Sequence, residues 1–195
     1  MRRLVYCVAS TLDGFIAGPD GGDPTGPDGF WPVSADYLQY LVATYPEILP
    51  TGARTALGVE AAGTHFDTVL EGSRSYRIGL EVGVVDAFEH LRHIVFSNSL
   101  PASEQVEIVD ADPLETVRKL KADEGKDLWL VGGSSIAGTL YPEIDSLILK
   151  LAPLTIGSGI PLFGKEFEPT SWTLRDTHQT ESGALFLTYD RQPSQ

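Results

Sequence analysis

Cysteine and basic residues are scarce in this sequence. Its 195 residues include one cysteine, Cys7, which excludes an internal disulfide framework and a cysteine-rich zinc site. Acidic residues number 27 and basic residues 14, so the formal net charge is −13. Binding to a phosphate backbone requires a basic stripe, and the only small basic cluster is Arg118, Lys119 and Lys121. We therefore expect no nucleic-acid partner.

Long apolar runs are also missing. None approaches the roughly 20 residues that cross a bilayer, so we expect no membrane partner. Residues 1–10 begin with basic side chains, but their apolar run is short and Asp13 follows it, which predicts a strand instead of a signal peptide. Together with the single cysteine, this predicts a cytoplasmic protein.

Short strand-like segments alternate with helical periodicity along the chain. The predicted strands are rich in Val, Ile, Leu, Tyr and Phe and span 2–9, 66–72, 91–97, 127–132 and 145–153. Helices are predicted over 34–45, 113–122 and 134–141. This pattern indicates one α/β domain over 1–195, with a mixed, mostly parallel central sheet flanked by helices. Segments 171–182 and 184–191 flank Gly183 and predict a C-terminal antiparallel hairpin.

The clearest chemical motif is a strand, two glycines and a helix over 127–141. Gly132 and Gly133 follow the apolar strand, and Ser134 and Ser135 open the helix. Glycines let a ligand approach the backbone closely, and the start of a helix offers unpaired N–H groups to a phosphate. A tight turn with a serine cap and no ligand would explain the same residues.

Three further strand ends carry polar residues. Gly72, Ser73, Arg74 and Ser75 form a second strand-to-helix junction, Ser97 and Asn98 end another strand, and residues 10–14 end the first. Ligands of open α/β sheets bind beyond the carboxyl ends of the strands. Two such junctions could bind the two ends of a dinucleotide.

The segment 17–33 is crowded with Gly, Pro and Asp but also contains Phe30 and Trp31. Long loops in compact domains are often lids or binding loops, so this segment is either a pocket rim or a plain linker.

A serine hydrolase is an alternative interpretation. Ser135 follows a strand and enters a helix, close to the G-x-S-x-G pattern, and Asp145 or Asp176 and His178 follow in the order of a catalytic triad. Ser135 would need a neighbouring histidine in the fold. For metals, only His90-x-x-His93 has suitable spacing, without a third ligand nearby, so no metal site is predicted.

Five motifs in order resemble the dihydrofolate reductase-like superfamily. They are STLDGFIAG at 10–18, FDTVLEGSRSY at 66–76, HIVFSNSL at 93–100, LVGGSSIAGTLY at 130–141, and IDSLILKLAPLTIGSGIPLFG at 144–164. The sequence is most similar to the reductase domain of riboflavin biosynthesis (the RibD C-terminal domain) and its stand-alone relatives. The resemblance implies an oxidoreductase that transfers a hydride from NADPH to a small pteridine- or pyrimidine-like substrate, and relatives are often homodimers.

The resemblance also implies roles for residues. Gly72, Ser73, Arg74 and Ser75 would hold the cofactor diphosphate and adenosine phosphate, and Ser97 and Asn98 would lie near the 2′-phosphate. The turn Gly132, Gly133, Ser134 and Ser135 would pass under the nicotinamide ribose, while Ala9 and Ile16 would flank the nicotinamide ring. Asp13 would lie near the nicotinamide and the substrate.

Several positions depart from the family pattern. Ser73 stands where the family usually has arginine, with the arginine shifted to Arg74, and Asn98 stands where Arg or Thr is common. Asparagine cannot replace the charge of arginine, so NADH is an alternative cofactor. Ser146 replaces a carboxylate of the biosynthetic enzymes, and no deaminase motif is present. A non-catalytic nucleotide-binding module on a reductase scaffold is a further alternative.

The sequence also offers candidates for a proton donor and for substrate contacts. Asp13 and Asp36 are the candidate catalytic acids, since Asp36 opens the first predicted helix much as the folate-binding carboxylate does in folate reductases. Trp31 and Phe163 could stack on a flat heterocycle. Lys150, in an otherwise apolar strand, is either an outward-facing edge residue, which is the more common situation for lysine, or a cation that binds an anionic substrate group.

Overall fold

This computed structural model describes residues 1–26, 29–166 and 168–193, which contain ten strands, five α-helices and two short 3-10 helices, Pro46–Ile48 and Tyr141–Glu143. The strands are β1 Leu4–Ser10, β2 Phe15–Ala17, β3 Phe66–Gly72, β4 Arg92–Phe96, β5 Glu107–Val109, β6 Asp127–Gly132, β7 Ser146–Leu151, β8 Ile160–Pro161, β9 Trp172–Gln179 and β10 Leu185–Arg191. The helices are α1 Ala35–Thr44, α2 Thr51–Leu57, α3 Ser73–Glu81, α4 Pro113–Ala122 and α5 Ser134–Thr139.

Eight of the strands form one mixed sheet in the order β5-β4-β3-β6-β1-β7-β10-β9. The pairs from β5 to β7 are parallel, whereas β10 is antiparallel to both β7 and β9. Strands β2 and β8 form a separate antiparallel pair. The prediction of a mostly parallel sheet closed by an antiparallel hairpin is confirmed.

The sheet has a packed core on each face because side chains alternate along its strands. In β1, Leu4 and Tyr6 belong to one core with α4 and α5, while Val5 and Cys7 belong to the other with α1. We call these the first and the second face. Burial raises the pKa of the Cys7 thiol to about 11, as expected for a core thiol.

Helix α4 begins with the cap that its sequence predicts. Asp112 accepts a hydrogen bond from the N–H of Glu115 at 2.9 Å, and Pro113 occupies the first turn. We expect Asp112→Ala to lower the free energy of unfolding by about 1 kcal/mol in a urea titration, and Asp112→Asn to change it little. An Asp112→Ala variant as stable as the unmodified protein would contradict this assignment of the cap.

Within the described residues, no helix is both long and apolar enough to cross a membrane.

Candidate functional site

A cavity of about 350 Å³ opens beyond the carboxyl ends of β3, β4, β5 and β6. We call it the crevice. Its lining includes most of the predicted cofactor residues, namely Gly72, Ser73, Arg74, Ser75, Ser97, Asn98, Gly133 and Ser135. Four segments that are distant in sequence are therefore brought to one place, as the strand-end argument predicts.

Two other cavities are larger, at about 570 and 490 Å³, but neither has these features. One is lined by β5 and the loop before it, and the other by α2 and the loop that follows. Neither is lined by a glycine that leads from a strand into a helix. The crevice is therefore the better candidate site despite its smaller volume.

The two glycine junctions lie against each other in the crevice. A Cβ atom added to Gly72 would come 3.3 Å from Ile136 of α5, and one added to Gly132 or Gly133 would lie 3.7 or 3.6 Å from Ser75 Oγ. Gly132 has φ +144°, a region that favours glycine, and the Gly132–Gly133 peptide is cis. The backbone of the β6–α5 turn is therefore exposed to the crevice without an intervening side chain.

Helix α3 starts at the crevice without a side-chain cap. Its N-cap residue is Gly72, and within the described chain no side chain accepts a capping hydrogen bond there, in contrast to Asp112 at α4. The N-cap of α5, Gly133, likewise provides no side-chain cap. The first N–H groups of α3 are therefore available to an anion, which the helix dipole also favours.

Arg74 supplies the positive charge of the crevice. It is exposed in the first turn of α3, and it forms no salt bridge with any described residue. It is the only basic side chain among the described residues that line the crevice. In a chain of net charge −13, an unpaired arginine beside free N–H groups is a suitable site for a phosphate.

The four remaining predicted cofactor residues, Ala9, Ile16, Gly132 and Ser134, are not among the described residues that line the crevice. Gly132 and Ser134 flank Gly133, and Ser134 Oγ is buried without a hydrogen-bond partner in the described structure. Ala9 lies near the carboxyl end of β1, the strand next to β6, and Ile16 of β2 packs against the first face. Their contacts with a cofactor remain predictions.

Asp13 connects two loops. Its carboxylate accepts hydrogen bonds from the hydroxyl of Thr11 at 2.6 Å, from the N–H of Gly157 at 2.7 Å, and from the N–H of Ile156 at 3.1 Å. The Thr11 hydroxyl first, and then these N–H groups, lower the pKa of Asp13, although partial desolvation opposes them. An ionised carboxylate that only accepts is poorly suited to donate a proton, which weakens the case for Asp13 as the catalytic acid.

Asp36 is held in a similar way at the start of α1. The hydroxyl of Ser34 and then the N–H of Ser182, at 2.7 Å, lower its pKa far below the usual range. Ser182 belongs to the turn between β9 and β10, so Asp36 fastens α1 to that hairpin. This environment favours the ionised form and does not support Asp36 as a proton donor at neutral pH.

Two of the three predicted substrate contacts, Lys150 and Phe163, lie on opposite faces of the sheet. Lys150 lies on the second face, paired in register with Ala9 and Phe186. Phe163 lies on the first face, where its ring centroid is 5.4 Å from that of Tyr6 and 5.0 Å from that of Tyr141. The structure therefore gives Phe163 a core contact and does not support it as a substrate contact beside Lys150.

The loop that carries Trp31 is described except for Pro27 and Asp28, so the predicted lid at 17–33 lies partly outside the described residues. Trp31 is buried, and its backbone N–H donates to the carbonyl of Pro24 at 2.9 Å, while Phe30 is 45% exposed. The aromatic residues of this loop are therefore divided between its interior and its surface. Trp31 as a substrate contact stays a prediction.

The structure contradicts the serine hydrolase alternative. His178 lies on β9 and stacks on Tyr40 of α1, with a centroid distance of 3.7 Å. Strand β9 is four positions from β6 in the sheet, roughly 19 Å at the usual strand spacing, whereas Ser135 directly follows β6. Asp176, on the same strand, is equally distant. Ser135 and His178 therefore cannot form a triad.

Comparison with known sequences gives a consistent family. The family model described as the RibD C-terminal domain matches residues 2–186. Two relatives from Bacillus subtilis (strain 168), the uncharacterized proteins YwjB and YyaP, are each 26% identical over 186 and 206 aligned positions. These alignments cover 91% and 96% of this chain, and 92% and 94% of the relatives.

Solved structures show the same fold. A putative riboflavin biosynthesis protein from Shewanella sp. PV-4 superimposes with a TM-score of 0.66 at 22% sequence identity. The match covers 99% of this chain and 100% of that protein. A diaminohydroxyphosphoribosylaminopyrimidine deaminase/5-amino-6-(5-phosphoribosylamino)uracil reductase from Thermotoga maritima gives 0.65 at 16% identity. The match covers 98% of this chain but only 57% of that protein.

Proposed function

Because the chain belongs to the family of RibD C-terminal domains, a reductase-type family of oxidoreductases, we propose that it is a reductase that uses a reduced nicotinamide dinucleotide. Its substrate would be a small pteridine- or pyrimidine-like heterocycle. We infer the cofactor from the crevice and the substrate class from the family resemblance.

The observation that carries this proposal is the meeting of the β3–α3 and β6–α5 junctions. A dinucleotide diphosphate needs a backbone that it can approach closely, free N–H donors and positive charge. The crevice offers all three: open backbone at Gly133, the uncapped start of α3 after Gly72, and the unpaired Arg74. The residues present therefore fit such a cofactor.

The residues can be assigned by their chemistry. The hydroxyls of Ser73 and Ser75, the first N–H groups of α3 and Arg74 would bind the diphosphate, and the turn at Gly133 would support the nicotinamide ribose. When bound, the reduced nicotinamide supplies the hydride. The chain itself contributes orientation and exclusion of water.

The carboxylates have a positioning role in this proposal. Asp13 fixes the turn after β1 to the loop after β7, and Asp36 fixes α1 to the β9–β10 turn. Both connections border the carboxyl ends of β1 and β7, where the substrate would enter. Lys150, near the end of β7 on the second face, would attract an anionic substituent of the substrate.

Calorimetric titration with NADH and NADPH tests the proposal, followed by a turnover screen of pteridines and pyrimidines. We expect at least one dinucleotide to bind with a Kd below about 100 μM, equivalent to about 5.5 kcal/mol, and at least one heterocycle to be reduced. Failure of both dinucleotides to bind at millimolar concentration would refute the proposed function. Tight binding without turnover of any heterocycle would favour the non-catalytic module.

A further inference from the structure

The outer end of the crevice is formed by the ends of β4 and β5. Ser97 N–H donates to the carbonyl of Val109 at 2.9 Å, which is the last hydrogen bond that joins these two strand ends. Asn98 and Asp110 are the next residues on each side, and both line the crevice. An amide and a carboxylate therefore both line the end of the crevice that is farthest from β6.

Asp110 makes no side-chain contact that would stabilise the described structure. It is exposed, and its carboxylate forms no hydrogen bond or salt bridge with a described residue. Asp112, only two residues later, caps α4 and does not line the crevice. The carboxylate of Asp110 is therefore free to accept hydrogen bonds from a ligand.

Within the described chain, neither arginine of α3 forms a hydrogen bond or ion pair with Asn98 or Asp110. Arg74 is in the first turn of α3, directly after the Gly72 junction. The next residue, Ser75, faces the glycines of the β6–α5 turn. Arg77, the other basic residue of α3, contacts Ser99 Oγ at 3.5 Å and does not line the crevice. Arg74 is therefore the only cation that lines the crevice in the described chain, and it does not neutralise Asp110 through an ion pair.

We infer that Asn98 and Asp110 make this crevice selective for NADH over NADPH. The inference rests on the proposed function and specifies its cofactor. A carboxylate accepts hydrogen bonds from the hydroxyls of an adenosine ribose, as acidic residues do in other NAD sites. A 2′-phosphate carries close to two negative charges at neutral pH and would be placed against that carboxylate. Like charges at a binding surface are strongly unfavourable.

Calorimetric Kd values for both dinucleotides test the inference without dependence on turnover. We expect NADH to bind at least about tenfold more tightly than NADPH at low salt, and this ratio to decrease as salt screens the repulsion. Asp110→Asn should tighten NADPH binding and reduce the ratio by about tenfold. Asp112→Asn removes the same charge two residues away and should leave the ratio unchanged.

The variant Arg74→Gln tests whether Arg74 binds the diphosphate or a 2′-phosphate. If Arg74 binds the diphosphate, the variant weakens NADH and NADPH by the same factor, as we expect. If it weakens only NADPH, Arg74 serves a 2′-phosphate and the inference is wrong.

Failure of this inference is distinguishable from failure of the proposed function. NADPH binding as tightly as NADH, or more tightly, would overturn the selectivity and leave the reductase assignment in place. Equal effects of Asp110→Asn and Asp112→Asn would attribute any preference to net charge and would also overturn the role of Asp110. Absence of binding by both dinucleotides would refute the function and the inference together.

Discussion

The substitution Gly133→Val should abolish dinucleotide binding while the protein stays folded. Gly133 has φ −94°, which any residue adopts, and a Cβ there would be 3.6 Å from Ser75 Oγ, an ordinary contact distance. The valine side chain would instead occupy the space through which a ligand approaches the backbone. We expect the Kd to rise at least about 100-fold, about 2.7 kcal/mol, with little change in the unfolding midpoint.

Two further glycine substitutions serve as comparisons for Gly133→Val. Gly52, exposed in α2 with open space around its Cα, serves as the control, and Gly52→Val should bind the dinucleotide normally. Gly132→Val should lower both stability and binding because φ +144° is strained for valine. Calorimetry and urea denaturation of the three variants separate the two effects. Unchanged binding by Gly133→Val would place the cofactor outside the crevice.

Replacement of His93 by glutamine should destabilise the fold strongly. His93 is 3% exposed, and its ring nitrogens lie 2.7 Å from Glu71 Oε1 and 2.7 Å from Asp86 Oδ1. The rings of Tyr76 and Phe88 present their edges to it. A protonated imidazole offsets two carboxylates there, and its loss would leave them without a cation. We expect a decrease in unfolding free energy of about 3 kcal/mol, typical of breaking a buried ion pair.

The destabilisation should depend on pH in a defined direction. Burial lowers the pKa of His93, but its bonds to Glu71 and Asp86 outweigh that effect and raise the pKa above its ordinary value of 6.5. A histidine whose pKa is raised by folding stabilises the native state below pH 6.5 and loses this contribution as the pH rises through the native pKa.

Urea unfolding of the unmodified protein and of His93→Gln between pH 6 and pH 10 measures this dependence. The difference in unfolding free energy should be largest at pH 6 and should decrease as the pH rises. The double variant Glu71→Gln/His93→Gln should recover part of the lost stability, because one of the uncompensated carboxylates is removed. A difference that is constant across the pH range would show that His93 is neutral in the native state.

The main strands and both glycine junctions were predictable because their signals are local. Apolar runs that end at glycine mark β3 and β6, and the junctions after them line the crevice as expected. Strands β2, β5 and β8 and helix α2 span two to seven residues, too few for a periodic pattern to be recognised. These elements are defined by contacts with distant parts of the chain, which the sequence does not display.

The roles of individual side chains were less predictable than the backbone. Asp13, Asp36 and Asp110 cannot be told apart by residue type, yet Asp13 connects two loops, Asp36 connects α1 to a hairpin, and Asp110 is unpaired in the described part of the crevice. The cap formed by Asp112, in contrast, was predictable because the following Pro113 and Glu115 are local signals. The pair His90 and His93 suggested no metal, but only the structure shows that His93 lies between two carboxylates. Which partner reaches each group depends on tertiary contacts that no spacing rule contains.

Because β6 lies between β3 and β1, the central sheet cannot be completed until β6 has been synthesised. A chain emerging from the ribosome would already contain β1, β3, β4 and β5 before residues 127–132 arrive to fill the gap at the centre. Until then two apolar inner edges stay unpaired, and such edges invite association between nascent chains. Late insertion of a central strand also requires long-range pairing, which slows folding. This strand order therefore predicts that nascent chains are prone to associate until β6 is inserted.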